Sequence, residues 1–150
     1  MVERTEGEQG HKDSVYSVAF APNGTHLVSG SLDKTIRMWK LSNRDYRSMN
    51  SQGGNAHPKS SPGECIRVFE GHKDFVLSVA LTPDGNWVMS GSKDRGVQFW
   101  DPETGHAQVM LQGHKNSVIS VAPSPMGSLF ATGSGDMKAR IWRYGPYTGH

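Results

Sequence analysis

Hydrophobic and polar positions along the chain change over in short bursts, and no stretch sustains a helical period. Runs such as VYSVAF and VLSVAL are apolar and β-branched, carry no charge, and are bounded by Gly, Pro, Asn or Asp. Such runs read as short strands. The pattern predicts first strands at Val15–Phe20, Val76–Leu81 and Val118–Ala122, each followed by a turn: Pro22-Asn23-Gly24, Pro83-Asp84-Gly85 and Pro125-Met126-Gly127. Pro presets φ and Gly permits positive φ, as tight turns require. Second strands are expected at about His26–Ser29, Trp87–Ser90 and Leu129–Thr132, and third strands at Thr35–Trp39, Gly96–Trp100 and Ala139–Trp142. Fourth strands are expected at Cys65–Phe69 and Ala107–Leu111.

These strands fall into repeated units. GHKDSVYSVAF from Gly10 is matched by GHKDFVLSVAL from Gly71 and GHKNSVISVAP from Gly113. SGSLDKTIRMW from Ser29 is matched by SGSKDRGVQFW from Ser90 and TGSGDMKARIW from Thr132. The His-to-Asp step is 22 residues in every unit (11 to 33, 72 to 94, 114 to 136), and the Asp-to-Trp step is 6. His72 to His114 is 42 residues but His11 to His72 is 61, so 19 extra residues follow Trp39. They fall in a Ser/Asn/Gly/Pro-rich segment, 41–64, that reads as a loop and closes at modest entropic cost. The expected division is a remnant strand of a preceding unit at 1–9, units at 10–70, 71–112 and 113–144, and a tail at 145–150. The third unit is expected to lack its last strand.

Strands apolar on both faces form a sheet that must stack against copies of itself, which is a β-propeller blade. The expected fold is therefore all-β, with three four-stranded antiparallel blades in an open arc, an incomplete ring. Such an arc leaves two blade faces bare, which favours pairing with other chains. Positions that differ between units are free to recognise a partner. Where the first strands begin stand Ser14 and Tyr16, Phe75 and Leu77, Ser117 and Ile119; just before each turn Asp stand Leu32, Lys93 and Gly135. In a propeller both places lie on one rim, and a ring of Tyr, Phe, Leu and Lys suits a protein partner.

Composition narrows the chemistry. The chain has 150 residues, 16 Lys+Arg against 14 Asp+Glu, and a net charge of +2. No block of like charges is long enough to track a phosphate backbone, so no direct nucleic-acid contact is expected. No apolar run approaches the roughly 20 residues of a membrane helix, and MVERTEGEQG does not read as a secretory signal. The single Cys65 makes no internal disulfide or metal cluster, and His26, His57, His106 and His150 lack metal-ligand spacing. No cofactor is expected. Gly-Ser-Gly at 133–135 is not followed by a Lys-Ser/Thr helix start, so it is not a phosphate loop. Asn23-Gly24-Thr25 reads as a turn, and Ser61-Pro62 as a linker dipeptide that a proline-directed kinase could use.

A Ser or Thr, a His and an Asp recurring together invite a hydrolase reading, with His72, Ser90 and Asp94 as the set in the second unit. An active site needs one specialised constellation, whereas this set occurs three times and has no G-x-S-x-G elbow. The expectation is that no residue is catalytic.

The GH…D…W spacing resembles the WD-repeat family, although the literal dipeptide occurs once, at Trp100-Asp101. The resemblance implies a structural network in each unit: His11–Asp33–Ser29–Trp39, His72–Asp94–Ser90–Trp100 and His114–Asp136–Thr132–Trp142. The longer wording, from HKDSVYSVAF to FATGSGDMKARIWRY, is similar to the C-terminal propeller of the fungal Tup-type, Groucho-like general transcriptional corepressors.

That resemblance implies a nuclear adaptor whose rim docks sequence-specific DNA-binding repressors, here through Tyr16, Lys93, Asn116 and Ser117. It further implies tetramerisation and engagement of a TPR co-corepressor through an N-terminal half outside this sequence, and further blades completing the ring. On that reading Met1 is an internal methionine and VERT the fourth strand of a preceding blade. Two alternatives stay open: an adaptor of another WD-repeat complex, such as a ubiquitin-ligase substrate receptor, and a truncated product without activity.

Overall fold

The computed structural model describes residues 10–41 and 63–144. Within them it is all-β. The strands are β1 (Val15–Phe20), β2 (His26–Ser31), β3 (Thr35–Lys40), β4 (Glu64–Glu70), β5 (Val76–Leu81), β6 (Val88–Ser92), β7 (Gly96–Trp100), β8 (Ala107–Gln112), β9 (Val118–Pro123), β10 (Leu129–Ser134) and β11 (Ala139–Arg143). Neighbours in sequence pair antiparallel, giving sheets β1-β2-β3-β4, β5-β6-β7-β8 and β9-β10-β11. The sheets do not close into a ring. The third sheet, in the unit expected to lack its last strand, has three strands among the described residues. The cause is where fourth strands come from: β4 and β8 each lie just ahead of the next GH segment, and no described segment follows β11 in that way. The remnant strand expected at 1–9, Ser61, His57 and His150 lie outside the described residues.

Several strands run further than their apolar pattern. β2 continues to Ser31 and β4 spans Glu64 to Glu70, because ladder pairing uses backbone groups and accepts polar side chains at its ends. β6 starts one residue late, at Val88, since the Trp87 N–H is taken by the Thr82 hydroxyl in the preceding turn.

The three sheets stack face to face. Ala19, Val28, Ile36, Met38 and Phe69 of the first sheet pack against Val76, Val79, Leu81, Val88 and Trp100 of the second. The other face of the second sheet, with Ala80, Met89, Val97 and Phe99, packs against Val118, Val121, Phe130 and Trp142 of the third. Strands β5, β6 and β7 of the middle sheet are therefore buried on both faces, while its outer strand β8 is largely exposed. Gly30 and Gly91 permit the close approach. A Cβ on Gly30 would lie 2.7 Å from Val76 Cγ1, and one on Gly91 would lie 2.6 Å from Val118 Cγ1. A hydrogen bond crosses each joint: Ser17 Oγ accepts the Val79 N–H and Ser78 Oγ accepts the Val121 N–H, both at 3.1 Å.

Each first strand carries a bulge at the same place. Val15 pairs with Ser31 and Ser17 with Gly30, so Tyr16 is the extra residue; Leu77 and Ile119 are its equivalents in β5 and β9. Bulges recur at sheet edges and re-aim a side chain.

Candidate interaction site

The repeated polar residues come together in all three sheets. His11 Nδ1 lies 2.9 Å from Asp33 Oδ2, and the corresponding distances at His72–Asp94 and His114–Asp136 are 2.8 Å. On the other side of each ring, Nε2 meets Ser29 Oγ at 2.7 Å, Ser90 Oγ at 2.6 Å and Thr132 Oγ1 at 2.7 Å. The same hydroxyl oxygens accept the indole N–H of Trp39, Trp100 and Trp142 at 2.9, 2.8 and 2.9 Å. In the neutral imidazole this gives one direction of donation. Trp N–H donates to the hydroxyl, the hydroxyl to Nε2, and Nδ1–H to the carboxylate.

Each carboxylate also accepts backbone donors. Asp33 takes the Lys12 N–H at Oδ2 and the Thr35 N–H at Oδ1; Asp94 takes Lys73 and Gly96; Asp136 takes Lys115 and Lys138. Burial pushes the Asp33 carboxyl up, but the Thr35 hydroxyl, the two backbone donors and His11 outweigh it and hold the pKa at about 2. Asp94 and Asp136 are also held below the ordinary carboxylate range. At Asp94 burial is opposed first by His72, and at Asp136 first by the Lys115 N–H. Ionised, these carboxylates hold the turn residues Lys34, Arg95 and Met137 in the left-handed region, at φ 74°, 74° and 70°.

The hydroxyl, imidazole and carboxylate lie in the order of a nucleophile, base and orienter. The hydroxyl, however, is spent on the indole and sealed from solvent: Ser90 is 0% exposed. No substrate carbonyl can reach it. The chemistry left to the set is to fix the GH loop and the Asp turn against each other at one edge of each sheet.

That edge carries the sequence-predicted rim positions. The Leu32 N–H donates to the Ser14 carbonyl, Lys93 to Phe75 and Gly135 to Ser117, so each Asp turn is bonded to the start of its own first strand. Ser14, Tyr16, Lys93, Asn116 and Ile119 are exposed; Leu32, Phe75, Leu77 and Ser117 are half-buried. Tyr16 and Ile119, both bulge residues, stand 61% and 54% exposed. The Lys93 ammonium sits 5.1 Å from the Phe75 ring centroid, a cation–π pair that covers part of the ring. Asn116 replaces the Asp13 and Asp74 of the other repeats and keeps their local bond: its Oδ1 accepts the Ser117 N–H at 2.7 Å.

Sequence reasoning missed a second repeated set on this edge. The hydroxyls of Ser31, Ser92 and Ser134 donate to the carbonyls of Asp13, Asp74 and Asn116 and accept the N–H of Asp33, Asp94 and Asp136. The signal was the second serine of SGS, SGS and TGS. At the opposite edge, Ala21, His26, Arg67, Leu81, Asp84 and Glu103 line an open groove of about 540 Å³ between the first two sheets. There burial, and then the Lys40 charge, push the His26 pKa down. His106 is exposed in the turn before β8.

Comparison with known proteins agrees with this frame. The chain is 67% identical over 111 residues to the transcriptional repressor rco-1 of Neurospora crassa, which covers 74% of this chain and 17% of that protein. It is 52% identical over 115 residues to the general transcriptional corepressor TUP1 of Saccharomyces cerevisiae, covering 74% of this chain and 15% of that protein. A third relative, the transcriptional repressor tup12 of Schizosaccharomyces pombe, is 57% identical over 49 residues, 33% of this chain and 8% of that one. The chain thus spans less than a fifth of these curated relatives, and its relationship is to the fungal Tup-type corepressors. The family described as WD domain, G-beta repeat matches residues 4–40, 63–101 and 105–143, each match closing on a β3-type strand with its network tryptophan. The chain belongs to the WD-repeat family.

Proposed function

We propose that the chain is a protein-docking scaffold of the corepressor type. Its rim receives sequence-specific DNA-binding repressors in the nucleus and so brings repression to promoters. The observation that supports this best is the division of labour along one edge. The invariant His, Asp, Ser/Thr and Trp groups are consumed in holding each sheet, while the bulges lift residues that differ between repeats, Tyr16 and Ile119, into solvent. An aromatic ring, an aliphatic side chain and a Lys over Phe form a surface of the kind that anchors protein partners. The relatives named as transcriptional repressors supply the biological class.

The test is capture from nuclear extract. The chain and its Tyr16→Ala, Lys93→Ala and Asn116→Ala variants are immobilised, and retained DNA-binding repressors are identified by mass spectrometry. Far-UV circular dichroism verifies the fold of each variant. Reduced capture by Tyr16→Ala or Lys93→Ala with an unchanged spectrum supports the rim. Undiminished capture by all three variants overturns it.

A further inference from the structure

We infer that the groove between the first two sheets, at the edge opposite the rim, is a second docking site. It takes an extended segment of a partner protein in which a bulky apolar side chain stands beside an Asp or Glu. The inference is independent of any partner at the rim.

The two joints of the chain differ at this place. Counting from the network tryptophans, Trp87, Phe99 and Val109 of the second sheet stand where His26, Met38 and Arg67 of the first stand. Tyr144, after β11, likewise stands where Pro102 stands after β7. In the second joint three rings meet there, with centroids 6.3 Å apart for Trp87 and Phe99 and 5.5 Å apart for Phe99 and Tyr144. In the first joint His26, Met38 and Pro102 leave an opening of about 540 Å³, within the roughly 300–1,000 Å³ of ligand pockets. Its lining includes an apolar floor: Ala21, Met38 and Leu81 are buried, and Ile66 is 40% exposed.

The groove also holds a cation without an acceptor. The stem of Arg67 runs under the turn before β8, where a Cβ on Gly105 would lie 3.0 Å from Arg67 Cδ, so the turn pins the stem in place. Arg67 Nε is sealed from solvent with no hydrogen-bond partner, and the guanidinium makes no ion pair among the described residues. A held, planar guanidinium calls for a carboxylate, which it can engage with two parallel hydrogen bonds. The second joint has Val109 in its place and no such demand.

The remaining groups select a peptide over a phosphate or a small acid. The Thr25 hydroxyl donates to Asn23 Oδ1 at 2.7 Å, so it accepts the His26 Nδ1–H, also at 2.7 Å, and Nε2 of that ring is left as an acceptor. Asp84 and Glu103 line the same groove and make no ion pair among the described residues. These acceptors suit the N–H groups of an extended backbone, which a free carboxylic acid lacks. Two carboxylates and an imidazole that burial keeps neutral also oppose the double charge of a phosphate more than the single charge of a carboxylate.

Phage-displayed random heptapeptides, selected on the full chain and counter-selected on its Arg67→Gln variant, test this. Enriched sequences are made as fluorescein-labelled peptides, and their affinities are read by anisotropy. They should carry a large apolar residue within two positions of an Asp or Glu, and Arg67→Gln should bind them roughly tenfold or more weakly. Changing the acidic residue of the peptide to its amide should give a similar loss on the wild type and little further loss on Arg67→Gln. Met38→Phe, which puts the residue of the second joint into the groove, should weaken the same peptides while leaving Arg67 in place. Circular dichroism verifies the fold of both variants. No enrichment, or enriched sequences without an acidic residue, overturns the inference. So does a peptide that binds Met38→Phe as tightly as the wild type, which would place it elsewhere. Affinity for 3-phenylpropionate equal to that for the peptides would give the groove to a small acid, and enriched sequences that reproduce a stretch of this chain would give it to the chain itself; either result overturns the partner segment.

Discussion

The Ser78 hydroxyl accepts the Val121 N–H at 3.1 Å across the joint between the second and third sheets. Ser78 and Val121 lie in different repeats, 43 residues apart, and both are buried. A backbone N–H in that position has no water to turn to. Ser78→Ala should therefore cost about 1–3 kcal/mol, the desolvation penalty of an orphaned donor. Urea unfolding followed by tryptophan fluorescence reads this as a lower midpoint at unchanged slope. A loss below about 0.5 kcal/mol would mean the N–H finds another acceptor.

Ser90 is more exposed to loss than its counterpart Ser29, although both hydroxyls stand between an indole and an imidazole. In the second sheet Trp100 and His72 are both buried, so Ser90→Ala strands two polar groups and should cost on the order of 2–4 kcal/mol. In the first sheet Trp39 is half-buried, water can replace one bond, and Ser29→Ala should cost about 1 kcal/mol. Comparing the two variants by thermal melts in the same buffer checks the ordering. Equal losses would contradict the assigned difference in solvent access.

The frame was legible because its spacing is triplicated. A 22-residue step from His to Asp, kept three times, marks these residues as one repeated set, the WD-repeat resemblance implies how they pair, and His11, Asp33, Ser29 and Trp39 lie within hydrogen-bond distance of one another in that order of contacts. The bulge was less legible. Val15 and Val18 serve the same sheet face although they are three apart, which is a slip in a period of two. That slip is visible in VYSV, VLSV and VISV once the extra residue is known, yet alternation alone reads it as strands apolar on both faces. Burial of the rim aromatic could not be read at all. Phe75 is half-buried and the Lys93 ammonium, from the Asp turn of the same repeat, lies 5.1 Å from its ring centroid, a pairing that no local pattern encodes.

The two joint glycines differ in what they touch, and this predicts different costs. A Cβ at Gly30 would meet the Cγ1 atoms of Val76 and Val79, side-chain atoms with some freedom to shift. A Cβ at Gly91 would meet Val118 Cγ1 at 2.6 Å and the Val118 carbonyl oxygen at 3.1 Å, and that backbone is held in β9. Gly91→Ala should destabilise by roughly 2–3 kcal/mol, and Gly30→Ala by about 1–2 kcal/mol, as overpacking does elsewhere. Denaturant midpoints of the pair decide it. A Gly30→Ala variant weaker than Gly91→Ala would show that the sheets slide rather than the side chains.

Acid should loosen the fold through Asp33. Its carboxyl is held at about 2 in the folded chain against an ordinary value of 3.8, so the folded state prefers the ionised form. The unfolded state binds the proton first as pH falls, and stability present above about pH 4 is lost progressively down to about pH 2. Asp94 and Asp136 are displaced in the same direction and add to the slope. The melting temperature should therefore be flat with respect to these groups near neutrality and drop through that acid window. Asp33→Asn removes one titrating group while keeping an acceptor oxygen for Lys12 or Thr35, so its melting temperature should start lower at neutral pH and fall less steeply in acid. A variant whose profile runs parallel to the wild type between pH 4 and 2 would show that Asp33 does not carry this dependence.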